Sequence, residues 1–377
     1  MTRPSHPRPE SGRHRATARP RASLLGLAVS AGLTVTRTAL RLATVGLARD
    51  RSRGPAAVAG ENAAVPLRGR ARHETTVVTA EDGVRLHVEI DGPPNAPVTV
   101  VLCHGYALNA ESWYFQRAAL AREARVVTWD HRGHGRSERA RSGGTTIEML
   151  GRDLFTVLER TAPKGPVVLA GHSMGGMAIL TLAAAHPELF GRRVTGVALL
   201  ATSAGPVNAS LGLPPQAATA VNWAALRVIS AVARLPALPR SSPAVRELTL
   251  LLSRRCSFAS DVPRALVAFL ADMIHATPLD VVVDLLPRFA GLNAFAALPV
   301  LRRVETLVLA AANDLITSPE HSRVIAEAVP GADLVVVPNA GHAVLLEHPA
   351  LVTGYLLDLI NRAAGAPDGE GRAEPVS

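Results

Sequence analysis

Lysine is nearly absent from this chain: Lys164 is the only one among 40 basic residues. Aromatic side chains make up 3% of the 377 residues, and cysteine occurs twice, at Cys103 and Cys256. Two cysteines cannot build a disulfide framework or, unaided, a zinc site, and they fit a reducing compartment. No uninterrupted apolar run reaches the roughly 20 residues that span a bilayer as a helix. The longest candidate opens at Ser23 and is broken by Arg37. A basic surface is also missing from most of the chain, although the formal net charge is +9. Residues 1–73 hold fourteen arginines against Glu10, Asp50 and Glu61 and so carry +11, which leaves −2 for the remainder. A body with that balance offers no track for phosphates, so nucleic acid is not expected as a partner.

The basic N-terminal stretch divides into three. Residues 1–22, rich in Pro, Arg, Ser and His, have little apolar surface to bury and read as a disordered tail. In residues 23–49, Ser30, Thr34, Arg37, Arg41 and Thr44 share one face at 100° per residue, with Leu, Val and Ala around the rest. This reads as an amphipathic helix, weakened by Gly26, Gly32 and Gly46, that contacts an anionic membrane surface or the protein's own body. A long secretory signal peptide and a weak membrane span are the alternatives. The long basic lead-in and the lack of an A-x-A site directly after the apolar run favour a cytoplasmic or membrane-surface location over secretion. Residues 50–73 read as a linker, and residues 365–377 as a second disordered tail.

Between them the pattern changes to eight strand-like segments, at 74–80, 84–90, 98–103, 124–130, 166–171, 194–201, 305–311 and 333–338. The first two, parted by Glu81-Asp82-Gly83, read as a hairpin. The others are short continuous apolar runs alternating with helical segments, which predicts strands buried on both faces of a mostly parallel sheet. Residues 206–299 lack strand pattern and carry helical periodicity broken by prolines. They are expected to form an all-helical cap over one end of the sheet, with residues 74–205 and 300–364 as the core.

The stretch VVLAGHSMGGMAIL, Val167 to Leu180, sets Gly171, Ser173 and Gly175 in a G-x-S-x-G pattern between a buried strand and a helix. A strand that turns at once into a helix forces the serine into a strained backbone, and glycine at the flanking positions leaves room for neighbouring chains. The helix that follows aims its free N–H groups at any anion formed there. Serine alone is a weak nucleophile and needs a base and an acid. NAGHAVLLEHP supplies His342 directly after the last strand, and ETLVLAAANDLITSPE supplies Asp314 directly after the seventh. Asp333, at the start of strand eight, and the loop after strand six are the competing sources of the acid.

From about Thr76 to Arg362 these motifs resemble the α/β-hydrolase fold superfamily, in its serine esterase and monoacylglycerol-lipase-like branch with a helical cap. GHSMGG resembles the nucleophile elbow, LCHGYALNAESW the oxyanion-hole segment after strand three, and DHRGHGRSE the D-x-R-G-x-G-x-S loop after strand four. The resemblance implies an eight-stranded, mostly parallel sheet flanked by helices, with the cap inserted after strand six. It implies a Ser173, His342 and Asp314 triad working through an acyl-enzyme, with the backbone N–H groups of Tyr106 and Met174 as the oxyanion hole. His104, Gly105, Gly171, His172 and Gly175 would support that site. Asp130, Arg132 and Ser137 are expected to hold their loop together. Trp113 and Trp223 read as packing, with pocket lining as the alternative, and Cys103 as inert core. No cofactor and no metal are expected, because His131, His134, His172 and His348 share no metal-ligand spacing with carboxylates.

A serine at the elbow excludes the carboxylate-nucleophile chemistry of epoxide hydrolases and haloalkane dehalogenases. What remains is acyl-transfer chemistry. A cap rich in Leu, Val and Ala favours an uncharged ester with an apolar acyl chain, such as a monoacylglycerol or a short-to-medium-chain ester. Arg227, Arg234, Arg254, Arg255 and Arg264 could instead meet a substrate carboxylate. Thioester, lactone or diketone C–C hydrolysis, perhydrolysis, acyltransfer and a non-catalytic ligand-binding role are the competing readings.

Overall fold

The computed structural model describes residues 74–140, 144–207 and 243–365. The two expected tails apart from Gly365, the amphipathic segment, the linker, Trp223, Arg227 and Arg234 lie outside the described residues. Eight strands form one sheet: β1 Glu74–Thr79, β2 Arg85–Asp91, β3 Thr99–Cys103, β4 Arg125–Trp129, β5 Val167–His172, β6 Val194–Leu200, β7 Glu305–Ala311 and β8 Asp333–Val337. Their spatial order is β1-β2-β4-β3-β5-β6-β7-β8. β1 and β2 form the expected hairpin, turned by Gly83 at φ 82°. β2 also runs antiparallel to β4, and every pairing from β4 to β8 is parallel.

Alternation along the strands divides the core in two. In β3, Val101 and Cys103 face one layer and Val100 and Leu102 the other; in β5, Val167 and Leu169 oppose Val168 and Ala170. The first layer is closed by α2 (Ile147–Thr161), α3 (Met174–Ala185) and α8 (Pro319–Ala328). The second is closed by α1 (Tyr114–Leu120), α9 (Val344–Glu347) and α10 (Pro349–Ala364). Both faces are thus dry along β3 to β7, which is why these strands read as continuous apolar runs; β8 departs from the expectation, since at the sheet edge it leaves Leu334 and Val336 exposed. Fully burying one Val or Leu is worth about 1.5–3 kcal/mol.

Between β6 and β7 the described chain is helical: α4 Pro243–Ser257, α5 Arg264–Ala276, α6 Leu279–Phe289 and the short α7 Leu298–Leu301. α5 and α6 each begin after a proline, Pro263 and Pro278, whose fixed φ suits the residue before a first helical turn. Leu266, Val267, Leu270 and Met273 of α5 join the second layer; Val281, Leu285 and Phe289 of α6 join the first. The segment also bonds to loops at the carboxyl ends of the strands. Thr277 after α5 reaches the Ala107 carbonyl after β3, and the Ser257 carbonyl of α4 accepts from the Ala343 N–H after β8.

Strand order reverses between β3 and β5: β4 lies on one side of β3, while β5, β6, β7 and β8 follow on the other. At such a reversal the loops leaving the two strands diverge and open a crevice at their carboxyl ends. Gly105 follows β3 and Ser173 follows β5, one on each side of that crevice.

Candidate active site

Ser173 joins β5 to α3 without an intervening loop, at φ 52° and ψ −117°. A non-glycine residue at positive φ costs of order 1–3 kcal/mol and persists only when its surroundings over-determine it. Here the Ser173 N–H donates to the Leu200 carbonyl at 2.9 Å, and its carbonyl accepts from the Gly176 N–H and from the Thr202 hydroxyl at 2.7 Å. The flanking glycines answer to space. A Cβ on Gly171 would stand 2.5 Å from the Gly175 carbonyl carbon and the Gly176 nitrogen, and one on Gly175 would stand 2.2 Å from the Cys103 carbonyl oxygen. Any side chain at either position would push α3 off the sheet.

Two further loops close on this serine. The His342 Nε2 lies 3.0 Å from the Ser173 Oγ, and the His342 Nδ1 lies 2.8 Å from the Asp314 Oδ2. All three residues are buried, at 6%, 9% and 4% exposure for Ser173, His342 and Asp314. The Asp314 Oδ1 accepts from the N–H groups of Ile316 and Thr317 at 2.7 and 3.0 Å. Burial alone would raise the pKa of this carboxyl, but the neighbouring imidazole and these hydrogen bonds outweigh it and hold it below the usual value. Asp333 stands at the opposite end of the sheet, at the start of β8, where it pairs with Arg362 at 2.6 Å. The loop after β6, Ala201 to Gly205, holds no carboxylate.

The remaining site histidines have different work. His172 donates from Nε2 to the His342 carbonyl at 2.8 Å. His104 donates from Nδ1 to the Gly105 carbonyl at 2.8 Å and accepts at Nε2 from the His131 N–H at 2.9 Å. His134 accepts at Nε2 from the Ala107 N–H at 3.2 Å. Burial lowers the pKa of His104 to about 4 and those of His134 and His172 to about 3, and it pushes His131 well down. All four are thereby kept neutral at physiological pH; His104, His134 and His172 tie loops together through these bonds, and the His131 ring packs against His104 and Trp129. No group of three His, Cys, Asp or Glu among the described residues is arranged to hold a metal ion. His348 lies apart from the site and reaches the Asn339 carbonyl at 3.2 Å.

Gly105 brings the loop after β3 against the elbow: a Cβ there would stand 2.7 Å from the His172 Nδ1 and 3.4 Å from the Ser173 Cβ. Tyr106 is next in this loop, and Met174 opens α3, where the first N–H groups of a helix have no intrahelical partner. The loop after β4 is held both from within and by its neighbours. Arg132 forks onto Asp153 with two bonds of 2.6 Å, Asp130 accepts from the Ala110 and Arg136 N–H groups, and the Ser137 hydroxyl donates to the Asp130 carbonyl. Trp113 is fully buried in the second core layer. Cys103 is fully buried too, and burial pushes its thiol up to about 12.

Two site residues escaped the sequence reading. The Thr317 hydroxyl lies 2.8 Å from both the Asp314 Oδ2 and the Ala201 carbonyl, so it fixes the carboxylate against the end of β6. Its only local signal is the spacing Asp314-x-x-Thr317, which suits a turn closed by the aspartate. Glu347 accepts from the Gly341 N–H at 2.6 Å, the Ala259 N–H at 2.8 Å and the Ser260 hydroxyl at 2.6 Å, fastening the His342 loop to the chain after α4. Nothing near Glu347 in sequence announces that role.

Residues 98–349 match the sequence profile of the alpha/beta hydrolase fold family. A Klebsiella pneumoniae protein provisionally named carbamate hydrolase RutD is 29% identical over 262 residues, 69% of this chain and 90% of its own length. Among solved structures, a thermophilic esterase from Thermogutta terrifontis superposes with a TM-score of 0.61 at 26% identity, covering 78% of this chain and all of the esterase. The enol-lactonase from Burkholderia xenovorans LB400 gives a TM-score of 0.58 at 27% identity, covering 76% of this chain and all of that one.

Proposed function

The chain belongs to the alpha/beta hydrolase fold family and is a hydrolase of that fold; from this premise we propose that it cleaves carboxylic esters with an apolar acyl group through Ser173, His342 and Asp314. The observation that carries this reading is the unbroken hydrogen-bonded line from the Ser173 Oγ through both ring nitrogens of His342 to Asp314. In it His342 Nε2 takes the serine proton as Oγ attacks the ester carbonyl. The tetrahedral oxyanion is met by the N–H groups of Tyr106 and Met174. Loss of one such donor costs about 3 kcal/mol of transition-state stabilisation. The imidazolium returns its proton to the departing alcohol, and a water activated by the same ring then releases the acid. Asp314, ionised and buried, holds Nδ1–H and stabilises the ring while it is charged.

The helical segment after β6 is the cap in this reading, and its composition supports an uncharged substrate. Among its described arginines, Arg246 pairs with Asp272, Arg264 with Glu247, and Arg254 reaches the Phe258 carbonyl, while Arg255 and Arg288 are exposed. None of these guanidiniums is buried, which argues against a dedicated carboxylate clamp. The likeness to an enol-lactonase keeps cyclic esters within the substrate class.

A fluorophosphonate probe tests the nucleophile: the wild-type protein is expected to label and a Ser173→Ala variant to remain unlabelled. Label on the variant, or none on the wild type, overturns the reading. p-Nitrophenyl esters of increasing chain length, with and without a terminal acid, together with a lactone, test the substrate class. The neutral acyl series is expected to lead.

A further inference from the structure

The loop that follows β3 is fastened at two consecutive residues by the helices inserted between β6 and β7. The Tyr106 hydroxyl donates to the Val282 carbonyl in α6, and its ring meets Phe289 of the same helix edge-on at 5.1 Å between centroids. Ala107 sits at φ 58°, a conformation that costs a non-glycine residue of order 1 kcal/mol. Its N–H is taken by the His134 Nε2 at 3.2 Å, and its carbonyl lies 3.0 Å from the Thr277 hydroxyl at the end of α5. The Gly105 carbonyl, which shares a peptide plane with the Tyr106 N–H, accepts from the Leu108 N–H at 3.2 Å and from His104 at 2.8 Å. Every peptide plane from Gly105 to Leu108 is therefore gripped, the last of them by Thr277, while Val282 holds the Tyr106 side chain; Thr277 and Val282 bracket the turn between α5 and α6.

A hydrogen bond weakens steeply as its donor swings off axis. Rotation of the Gly105–Tyr106 peptide would thus reduce what the Tyr106 N–H gives to an oxyanion while leaving the ground-state carbonyl little affected. We propose that Thr277 and the Tyr106 phenol are positioning residues through which the α5–α6 turn sets the angle of the Tyr106 N–H. The inference rests on the oxyanion role given to Tyr106 above.

The test uses the full-length protein with Tyr106→Phe, Thr277→Val and Thr277→Ser, assayed on p-nitrophenyl butyrate. Tyr106→Phe and Thr277→Val are expected to lower kcat about tenfold with KM within about twofold, the size of effect that a misdirected donor gives. Thr277→Ser keeps the hydroxyl and is expected to restore kcat. Combining the two damaging changes is expected to cost less than the product of the single losses, because both act on one peptide. Inhibition by a trifluoromethyl ketone, whose adduct with Ser173 carries an oxyanion, is expected to weaken in step with kcat/KM. The pH midpoint of kcat/KM stays where it was, since His342 is untouched. Unchanged kcat, a raised KM at constant kcat, an inhibitor that does not follow, or a serine variant that fails to recover each overturns the coupling. The wild-type assay with its Ser173→Ala control separates the two levels. If the wild type shows no serine-dependent esterase activity, both the site reading and the coupling fall; if it does and the variants match it, the coupling alone falls.

Discussion

Ser173 has two flanks, and histidine serves each of them differently. On the side of β3 and β4, His104, His131 and His134 pack ring against ring, at 4.5 and 5.3 Å between centroids, and their hydrogen bonds go to backbone groups. His131 has no hydrogen-bond partner at either ring nitrogen among the described residues. On the side of β7 and β8, His342 stands between a hydroxyl and a carboxylate. The first group is buried and, in its hydrogen bonds, meets backbone groups; the second has, in the proposed reading, somewhere to put a proton and a negative charge to stabilise the result. The same kind of ring is thus a staple in one place and, in that reading, a proton carrier in the other.

That contrast can be attacked at its strongest point by Asp314→Asn. The amide leaves the geometry near His342 intact but no longer enforces Nδ1–H or stabilises the charged ring, so kcat is expected to fall about 10³–10⁴-fold. Ester hydrolysis measured at saturating substrate checks it, and a loss under tenfold would erase the distinction between the two flanks.

The dry flank, and with it the buried His172 that lies against His342, can be tested by acid. His104, His131, His134 and His172 have lower pKa values folded than unfolded, so the fold is fully favoured by them above about pH 6.5 and less so as the pH falls, when the unfolded chain takes up protons that the fold refuses. Half a unit below 6.5, each ring removes about 0.8 kcal/mol, so about 3 kcal/mol is expected to be lost between pH 7.5 and 6.0. The depressed carboxyls of Asp82 and Asp314 add to the loss only at lower pH. Urea titrations at the two pH values measure the difference. Equal stability at both would mean that the cluster accepts charge, and the comparison would have to be abandoned.

The smallest effect belongs to a histidine on neither flank. His186 stacks on Phe155 at 4.0 Å and pairs with Glu188 at the surface. Solvent and salt screen such an exposed pair, so His186→Ala is expected to change the urea midpoint marginally and leave activity alone. A large loss there would show that histidine content, rather than placement, governs stability.

Much of the arrangement could be read before any coordinates. Strands buried on both faces leave uninterrupted β-branched runs, and a serine wedged between two chains that tolerate no Cβ leaves glycines two positions away on either side. The choice of Asp314 over Asp333 follows from direction: a residue that closes a parallel strand lies at the carboxyl end of the sheet, and one that opens the next strand lies at the other. Trp113 packs in the core, as its default predicted. By contrast, the bond from Thr317 to Ala201, Glu347 and the bonds from Tyr106 and Thr277 join segments distant in sequence through single atoms. Such contacts impose no period and no composition, so nothing along the chain marks them.

The twisted backbone at Ser173 has a consequence for the life of the molecule. Its anchors come from Leu200 and Thr202, its glycine neighbours fit beneath Cys103, and its base arrives with residue 342. Synthesis must reach residue 342, well past Leu200 and Thr202, before these pieces can meet. Until then the hydroxyl has no imidazole beside it and is an ordinary alcohol.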